Sequence, residues 1–513
     1  MTISILKKLK ENSGAAKTVG LNDTTIAEYL IRDKSLKIAI EEAWDVWKDL
    51  SDGERQDLLL PEEELIKRLQ SGVLNFYSSA DLTKYIPLSA QGPWIVTAYG
   101  AVVYDTGGYG MIGFGHNPEF LSAALSTKHV MANIKTPSFW QRRASNILMK
   151  KIGFSGKDCP FSQFIWMNSG SEAITVAARI SDANARVMTD AGGVHQGKKL
   201  MFAAAKGGFH GRADCAAQVS DSSMKNYKNY LASFRDRENL LLFEINNSES
   251  LKDVYAKAAR ENIYIEALFL EPVMGEGNPG QALHRDFYDL ARKLSKDNNT
   301  ILIVDSIQAG IRGQGCLSIV DYPGFENIEA PDMEAYSKAI NAGQYPISVL
   351  ALRKEIAELY KIGIYGNTMT TNPRALEVAC TVLQNLNADL SNNIQIRGKE
   401  FVEKFKALQK ELPELISKVQ GTGLLIGVEL NKDKFKVTGF GGVEEYIITK
   451  GVNVIHGGAN SLRFTPHFYC TSNEIDLVVA SVREALLHFQ KKQDFKTNDS
   501  SLKEKSQGRA SLK

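Results

Sequence analysis

The sequence predicts an α/β fold: a large, doubly wound mixed sheet of mostly parallel strands, joined to a smaller α+β domain. Three observations carry this expectation. At 513 residues the chain is long enough for more than one domain. Between residues 160 and 350, apolar runs of strand length alternate with helical patterns, as buried strands covered by helices do. Four of those runs also stop at turns rich in glycine or polar residues, the place where open α/β sheets bind ligands.

Composition narrows the class. Hydrophobic residues at 43% and charged residues at 23% are ordinary for a globular chain. A formal net charge of +2 offers no electrostatic basis for binding nucleic acid. The cysteines (Cys159, Cys215, Cys316, Cys380, Cys470) show no paired spacing, so they read as reduced thiols and neither a disulfide framework nor a metal site is expected. No apolar run approaches the roughly 18–20 residues that span a bilayer, so no membrane partner is expected. The N-terminus begins basic, at Lys7, Lys8 and Lys10, but lacks an apolar signal core, which leaves the cytoplasm as the default location.

Taken in order, residues 1–75 are rich in helix formers, as in Ile38–Trp44, and read as a helical N-terminal extension. Residues 76–135 form the N-terminal part of the small domain, with short strands between Trp94 and Asp105 and a glycine-rich stretch at Gly107–Gly115. Residues 136–388 are the large domain; its apolar runs include Phe164–Met167, Leu200–Ala205, Ala267–Leu270 and Ile301–Val304. Residues 389–490 complete the small domain and end in a helix over Glu474–Phe489. The stretch 491–513 has seven basic and three acidic residues with almost no apolar content, and is expected to be a disordered tail.

Two motifs mislead. Gly108-Tyr109-Gly110-Met111-Ile112-Gly113 matches the dinucleotide pattern G-x-G-x-x-G, but Gly115 and Pro118 interrupt the helix that must follow. Gly192 through Lys199 resembles a phosphate loop, yet it lacks the Ser or Thr that binds magnesium and precedes its strand instead of following one.

The surviving constellation lies past the strand ends. Asn168-Ser169-Gly170-Ser171-Glu172-Ala173 follows a strand and opens a helix, where free N–H groups and the helix dipole favour a phosphate ester. Gly207-Gly208-Phe209-His210-Gly211-Arg212 offers an aromatic ring for stacking and a guanidinium for a carboxylate, with His210 as a hydrogen-bonding residue. Glu271-Pro272-Val273-Met274-Gly275-Glu276-Gly277 and Asp305-Ser306-Ile307-Gln308 end the next two strands, and Lys338 leaves the small-residue turn Ser337-Lys338-Ala339. A lysine leaving a small-residue turn and a carboxylate capping a buried strand suit the two ends of pyridoxal phosphate: the amine would form a Schiff base and the carboxylate would keep the pyridine nitrogen protonated.

With Pro331-Asp332, Gly366-Asn367-Thr368, Asn372-Pro373 and Leu462-Arg463-Phe464, these pieces run in order over roughly residues 85–485. On them the chain resembles the class III (subgroup II, omega-type) aminotransferases, pyridoxal 5'-phosphate enzymes of fold type I, the aspartate-aminotransferase-like fold. The resemblance implies that Lys338 carries the cofactor and moves the proton, with Asp305 at the pyridinium. Gln308 contacts the ring hydroxyl and Phe209 stacks on the ring. Ser169, Gly170 and Ser171 lie at the phosphate, joined by Thr368 from the other subunit of a homodimer. Arg212, Glu276, Arg463 and Tyr85 are implied on the substrate side.

Three departures stand out. The family usually has Asp-Glu where this chain has Asp305-Ser306, a glycine run where it has Asn341-Ala342-Gly343, and Gly-Gly where it has Thr370-Thr371. The resemblance implies a transaminase that passes an amino group from a terminal amine (lysine, ornithine, acetylornithine or 4-aminobutyrate) to a keto acid such as 2-oxoglutarate, in two half-reactions. In similar enzymes the glutamate at position 276 masks Arg463 when a terminal amine binds and swings aside for glutamate; a fixed ion pair is the plainer reading. An aminomutase or decarboxylating transaminase on the same fold is the alternative. A cofactor-free interaction protein is a further one, against which the intact Lys338 and Asp305 argue.

Overall fold

The computed structural model describes residues 2–155 and 158–510. Its centre is a seven-stranded sheet built from β1 (Gln163–Met167), β2 (Lys199–Ala205), β3 (Leu240–Phe243), β4 (Ile263–Leu270), β5 (Ile301–Asp305), β6 (Met333–Tyr336) and β7 (Ser348–Leu352), in the spatial order β1-β7-β6-β5-β4-β2-β3. Neighbours from β6 through β3 run parallel, whereas β7 is antiparallel to both β1 and β6. The sheet is therefore mixed and mostly parallel, as the alternation of apolar runs and helices predicts.

Both faces of the sheet are covered. Strand β4 is buried along its whole length, and its side chains alternate between two cores. Ala267 and Phe269 pack with Ala173, Ile174, Val176 and Ala177 of the helix Gly170–Thr189. Leu268 and Leu270 pack on the opposite side with Leu251 and Val254 of the helix Ser248–Arg260 and with Phe287 and Ala291 of the helix Arg285–Asp297. Two-sided burial explains why these strands read as continuous apolar runs. It also leaves only the strand ends open to a ligand.

Helices Thr2–Glu11, Asp23–Arg32, Lys34–Asp49, Asp52–Asp57 and Glu62–Leu69 make up the N-terminal extension. Leu6, Leu9, Leu36, Ala39 and Ile40 bury their side chains in the same core as Trp94, Val96 and Val102, so the extension is welded to the strands that follow it. Those strands, Pro87–Gln91, Trp94–Thr97 and Val102–Asp105, are antiparallel, and the last also pairs in parallel with Val452–Asn453. That pairing joins the segment before the large sheet to the segment after it. A second sheet of four strands, over Ile416–Thr422, Leu425–Leu430, Ser461–Phe464 and Ile455–Gly457, brings Arg463 to the large domain.

The closing helix is longer than expected. It runs Ser472–Ala510 and so continues through most of the stretch anticipated as a disordered tail, with residues 511–513 outside the described residues. The segment has no proline and holds six Lys and two Gln, good helix formers that low apolar content does not cancel. No helix among the described residues is long and apolar enough to cross a membrane.

Candidate active site

A cavity of about 430 Å³ opens past the carboxyl ends of β1, β2, β4, β5 and β6, with Ser169, Gly170, Ser171, Phe209, Asp305 and Lys338 in its wall. Its floor begins with the helix Gly170–Thr189. Ser169 caps that helix: its Oγ accepts from the Glu172 backbone N, while the Glu172 carboxylate accepts from the backbone N of Ser169 and of Asn168. This reciprocal cap leaves the amides of Gly170 and Ser171 as the helix-end donors nearest the cavity, an arrangement suited to a phosphate. Position 211 must be glycine here, because φ is +123° and a Cβ would lie 2.3 Å from Ser171 Oγ.

Asp305 ends β5 and is 4% exposed. Its Oδ2 lies 2.9 Å from His210 Nδ1, and its Oδ1 accepts from the Ile307 backbone N at 3.0 Å. Burial disfavours the charged imidazole of His210, but the hydrogen bond and the charge of Asp305 outweigh it, so its pKa is raised. The pair is thus buried, oriented and charge-assisted.

Lys338 begins a short turn after β6 with φ at +28°, an unusual backbone for a lysine and the kind of strain that concentrates at functional sites. Removal from water pushes its pKa down to about 8, and the charge of Arg463 adds to this; Glu276, Asp305 and Glu271 oppose it. An amine with that pKa has a far larger neutral fraction near physiological pH than an ordinary lysine, as a nucleophile and proton carrier requires.

Gln308 is held between two neighbours. Its Oε1 accepts from Arg463 Nη1 at 3.3 Å, whereas its buried Nε2 has no partner among the described residues. Only glycine at position 275 allows this placement, since a Cβ there would lie 2.2 Å from the Gln308 amide carbon. An orphaned donor beside Asp305, a helix end with free amides, a half-buried Phe209 ring and a desolvated lysine together fit a flat, phosphorylated pyridine bearing a ring oxygen. The residues present therefore match pyridoxal phosphate.

Outside the cavity lining, and joined to it through the Arg463–Gln308 contact, Glu276 stands between two guanidinium groups, 3.6 Å from Arg212 and 4.0 Å from Arg463. Arg212 is half exposed and also lies 5.4 Å from the Phe209 ring, whereas Arg463 is 1% exposed and donates to the Gly275 carbonyl at 2.6 Å. Burial pulls the Arg463 pKa below its ordinary value, against the charge of Glu276.

Not every expected residue arrives. Tyr85 is 6% exposed, packs in the core formed by the extension and the first small sheet, and does not line the cavity. A tyrosine beside a strand start buries its ring where apolar neighbours surround it, and that surrounding is set by distant helices. Thr368 is exposed and outside this chain's cavity wall, although its segment is pinned by Asn367 Nδ2 and Tyr365 OH, both donating to Glu172.

Two residues with no individual role assigned from the sequence lie in or beside the site. Tyr109 lies with its ring 5.5 Å from the Arg463 guanidinium and stacks on Tyr77 at 6.1 Å. The signal was present as an aromatic among glycines in 107–113, a stretch that also mimics a dinucleotide motif. Glu271 is the second: it accepts from the backbone N of Phe209 and of Gly275, and burial pushes its pKa up to about 7.

A family model described as aminotransferase class-III matches residues 77–486. An acetylornithine aminotransferase of Prochlorococcus marinus is 26% identical over 419 residues, covering 79% of this chain and 92% of that protein. An ornithine aminotransferase of Macrococcus caseolyticus is 29% identical over 348 residues, covering 67% and 80%. The solved ornithine aminotransferase of Toxoplasma gondii superposes with a TM-score of 0.72 at 21% identity, over 86% of this chain and 99% of that one. The helices of the N-terminal extension lie before the matched region.

Proposed function

Since the chain belongs to the class-III aminotransferases and is a pyridoxal 5'-phosphate enzyme, we propose that it passes the amino group of a terminal-amine substrate, of the ornithine, acetylornithine, lysine or 4-aminobutyrate kind, to a keto acid such as 2-oxoglutarate in two alternating half-reactions. When bound, the cofactor supplies the electron sink that makes the substrate carbon acidic. Lys338 would hold the cofactor, and its amine, once free, would accept and hand on the proton of the substrate carbon; its pKa of about 8 suits a proton carrier. Asp305, oriented by His210, would face the pyridine nitrogen. The Gly170 and Ser171 amides would bind the phosphate, and the Gln308 amide would donate to the ring oxygen.

One observation carries the choice of substrate class: Glu276 between Arg212 and Arg463. With Glu276 against Arg463, that end of the pocket is electrically balanced and accepts an amine-bearing chain that has no carboxylate there. With Glu276 turned away, Arg463 is free for the α-carboxylate of glutamate while Arg212 takes the distal one. The relatives named ornithine and acetylornithine aminotransferase support the same class. In this reading the active enzyme is a homodimer, and Thr368 completes the phosphate site of the opposite subunit.

The test is stoichiometric. The holoenzyme is incubated with 2-oxoglutarate and each candidate amine in turn, and glutamate is quantified. One glutamate per amine consumed is expected for at least one terminal amine. Amine consumption with carbon dioxide release, or isomerisation without glutamate, would replace the proposal by a decarboxylating transaminase or an aminomutase.

A further inference from the structure

Ser306 occupies the position where the family usually places a second carboxylate after Asp305. A carboxylate nevertheless reaches that position, from a different strand. Glu334 lies on β6, paired across the ladder with Val304, and is 0% exposed. Its Oε1 accepts from Ser306 Oγ at 2.5 Å and from the Ile319 backbone N at 3.0 Å; its Oε2 accepts from Ser318 Oγ at 2.5 Å. Among the described residues no Lys or Arg is paired with it. A carboxylate buried in mid-sheet is costly unless donors surround it, and here three donors from two segments converge on it. Burial pushes its pKa up to about 7 despite them.

The loop that Glu334 holds carries the groups facing the cofactor ring. Ser306 is flanked by Asp305 and followed by Gln308, and Ser318 and Ile319 close the far end of the same loop. The backbone of Ser306 is tied to β6 as well, its N donating to the Ala335 carbonyl at 3.0 Å. We infer that Glu334 is a positioning residue: a carboxylate moved from the end of β5 to the adjacent strand, where it fixes the 305–319 loop and through it Asp305 and Gln308. This rests on the assignment of the cofactor, and is independent of which amine the enzyme uses.

Release of pyridoxal phosphate from the holoenzyme into cofactor-free buffer, followed by absorbance, reads the inference without turnover. Ser306→Ala and Glu334→Ala are each expected to speed release about tenfold, the effect of losing one or two hydrogen bonds. Glu334→Gln keeps an acceptor for Ser306 Oγ and is expected to stay within about threefold of the parent. Ser306→Glu combined with Glu334→Ala returns the carboxylate to β5, and is expected to release cofactor more slowly than Glu334→Ala alone. Ser306→Ala removes a single hydroxyl and is the variant that best preserves folding, so parent-like release from it overturns the inference. A double variant no slower than Glu334→Ala also overturns it. A parent protein that binds no cofactor would instead defeat the cofactor assignment.

Discussion

His210 Nδ1 and Asp305 Oδ2 stand 2.9 Å apart with both side chains sealed from water. The Asp305 carboxylate is therefore held by a partner that is itself deeply buried. Deleting one half of such a pair strands the other as an uncompensated buried charge, at a cost of about 3–5 kcal/mol.

His210→Ala is accordingly expected to weaken pyridoxal phosphate binding by more than tenfold, measured by cofactor titration of the apoprotein, and to lower the melting temperature. His210→Asn, which can still donate to Asp305, is expected to recover part of both losses. The raised pKa of His210 also sets a pH dependence. Its contribution to stability is complete below the unfolded value near 6.5 and fades as pH rises through the folded one. Equal melting behaviour of parent and His210→Ala across that range would show that the pair does not hold the site.

Lys338 makes a chemical prediction. Borohydride reduction should fix pyridoxal phosphate to the parent, and Lys338→Ala should abolish that labelling. The rate at which apoprotein combines with the cofactor should climb with pH and level off above about 8, where the desolvated amine is already neutral. An ordinary lysine, with a value near 10.5, would keep gaining reactivity well beyond that point. Continued increase to pH 10 would mean that another amine reacts first.

Which of these groups the sequence could reveal follows from the range of the interaction. Lys338, Asp305, Ser171 and Phe209 each sit at a local boundary between a strand and a turn or helix, so neighbouring residues announce them. Tyr85 lies in the core, outside the cavity wall, because its surroundings come from helices some fifty residues earlier in the chain. Glu334 and Ser306 are 28 residues apart and meet only because β5 and β6 are adjacent, which no local motif encodes. Tyr109 needs the closure of the small domain, since Arg463 arrives from the far end of the chain. Helix propensity and low apolar content pull in opposite directions over residues 491–510, and the helix prevails.

Glu271 predicts a pH effect on stability. Burial raises its pKa from 4.5 to about 7, so the folded state favours its protonated form. Its contribution is therefore full below about 4.5 and is lost as pH rises through about 7. Glu271→Gln should show a smaller fall in melting temperature between pH 5 and pH 8 than the parent. Its melting temperature at pH 5 should be lower, because the amide cannot accept from both Phe209 N and Gly275 N. A variant with the parent's full pH slope would place the titration elsewhere, with Glu334 the next candidate.

Glu276 separates a movable gate from a fixed ion pair. Its contact with Arg463 is 4.0 Å, longer than a direct hydrogen-bonded bridge, and Arg212 competes for it at 3.6 Å. In Glu276→Ala, Arg463 faces the pocket as an unbalanced cation. The half-reaction with a terminal amine should then lose efficiency by about tenfold, corresponding to roughly 1.4 kcal/mol, with the loss in KM more than in kcat. The half-reaction with glutamate places a carboxylate at Arg463 whether or not Glu276 is present, and should change by less than about threefold. Each half-reaction can be followed alone, in single turnover, from the absorbance of the cofactor. Equal losses in both would mean that Glu276 holds Arg463 in place throughout, and that the choice between substrates is made elsewhere in the pocket, with Tyr109, 5.5 Å from Arg463, a further side chain to examine.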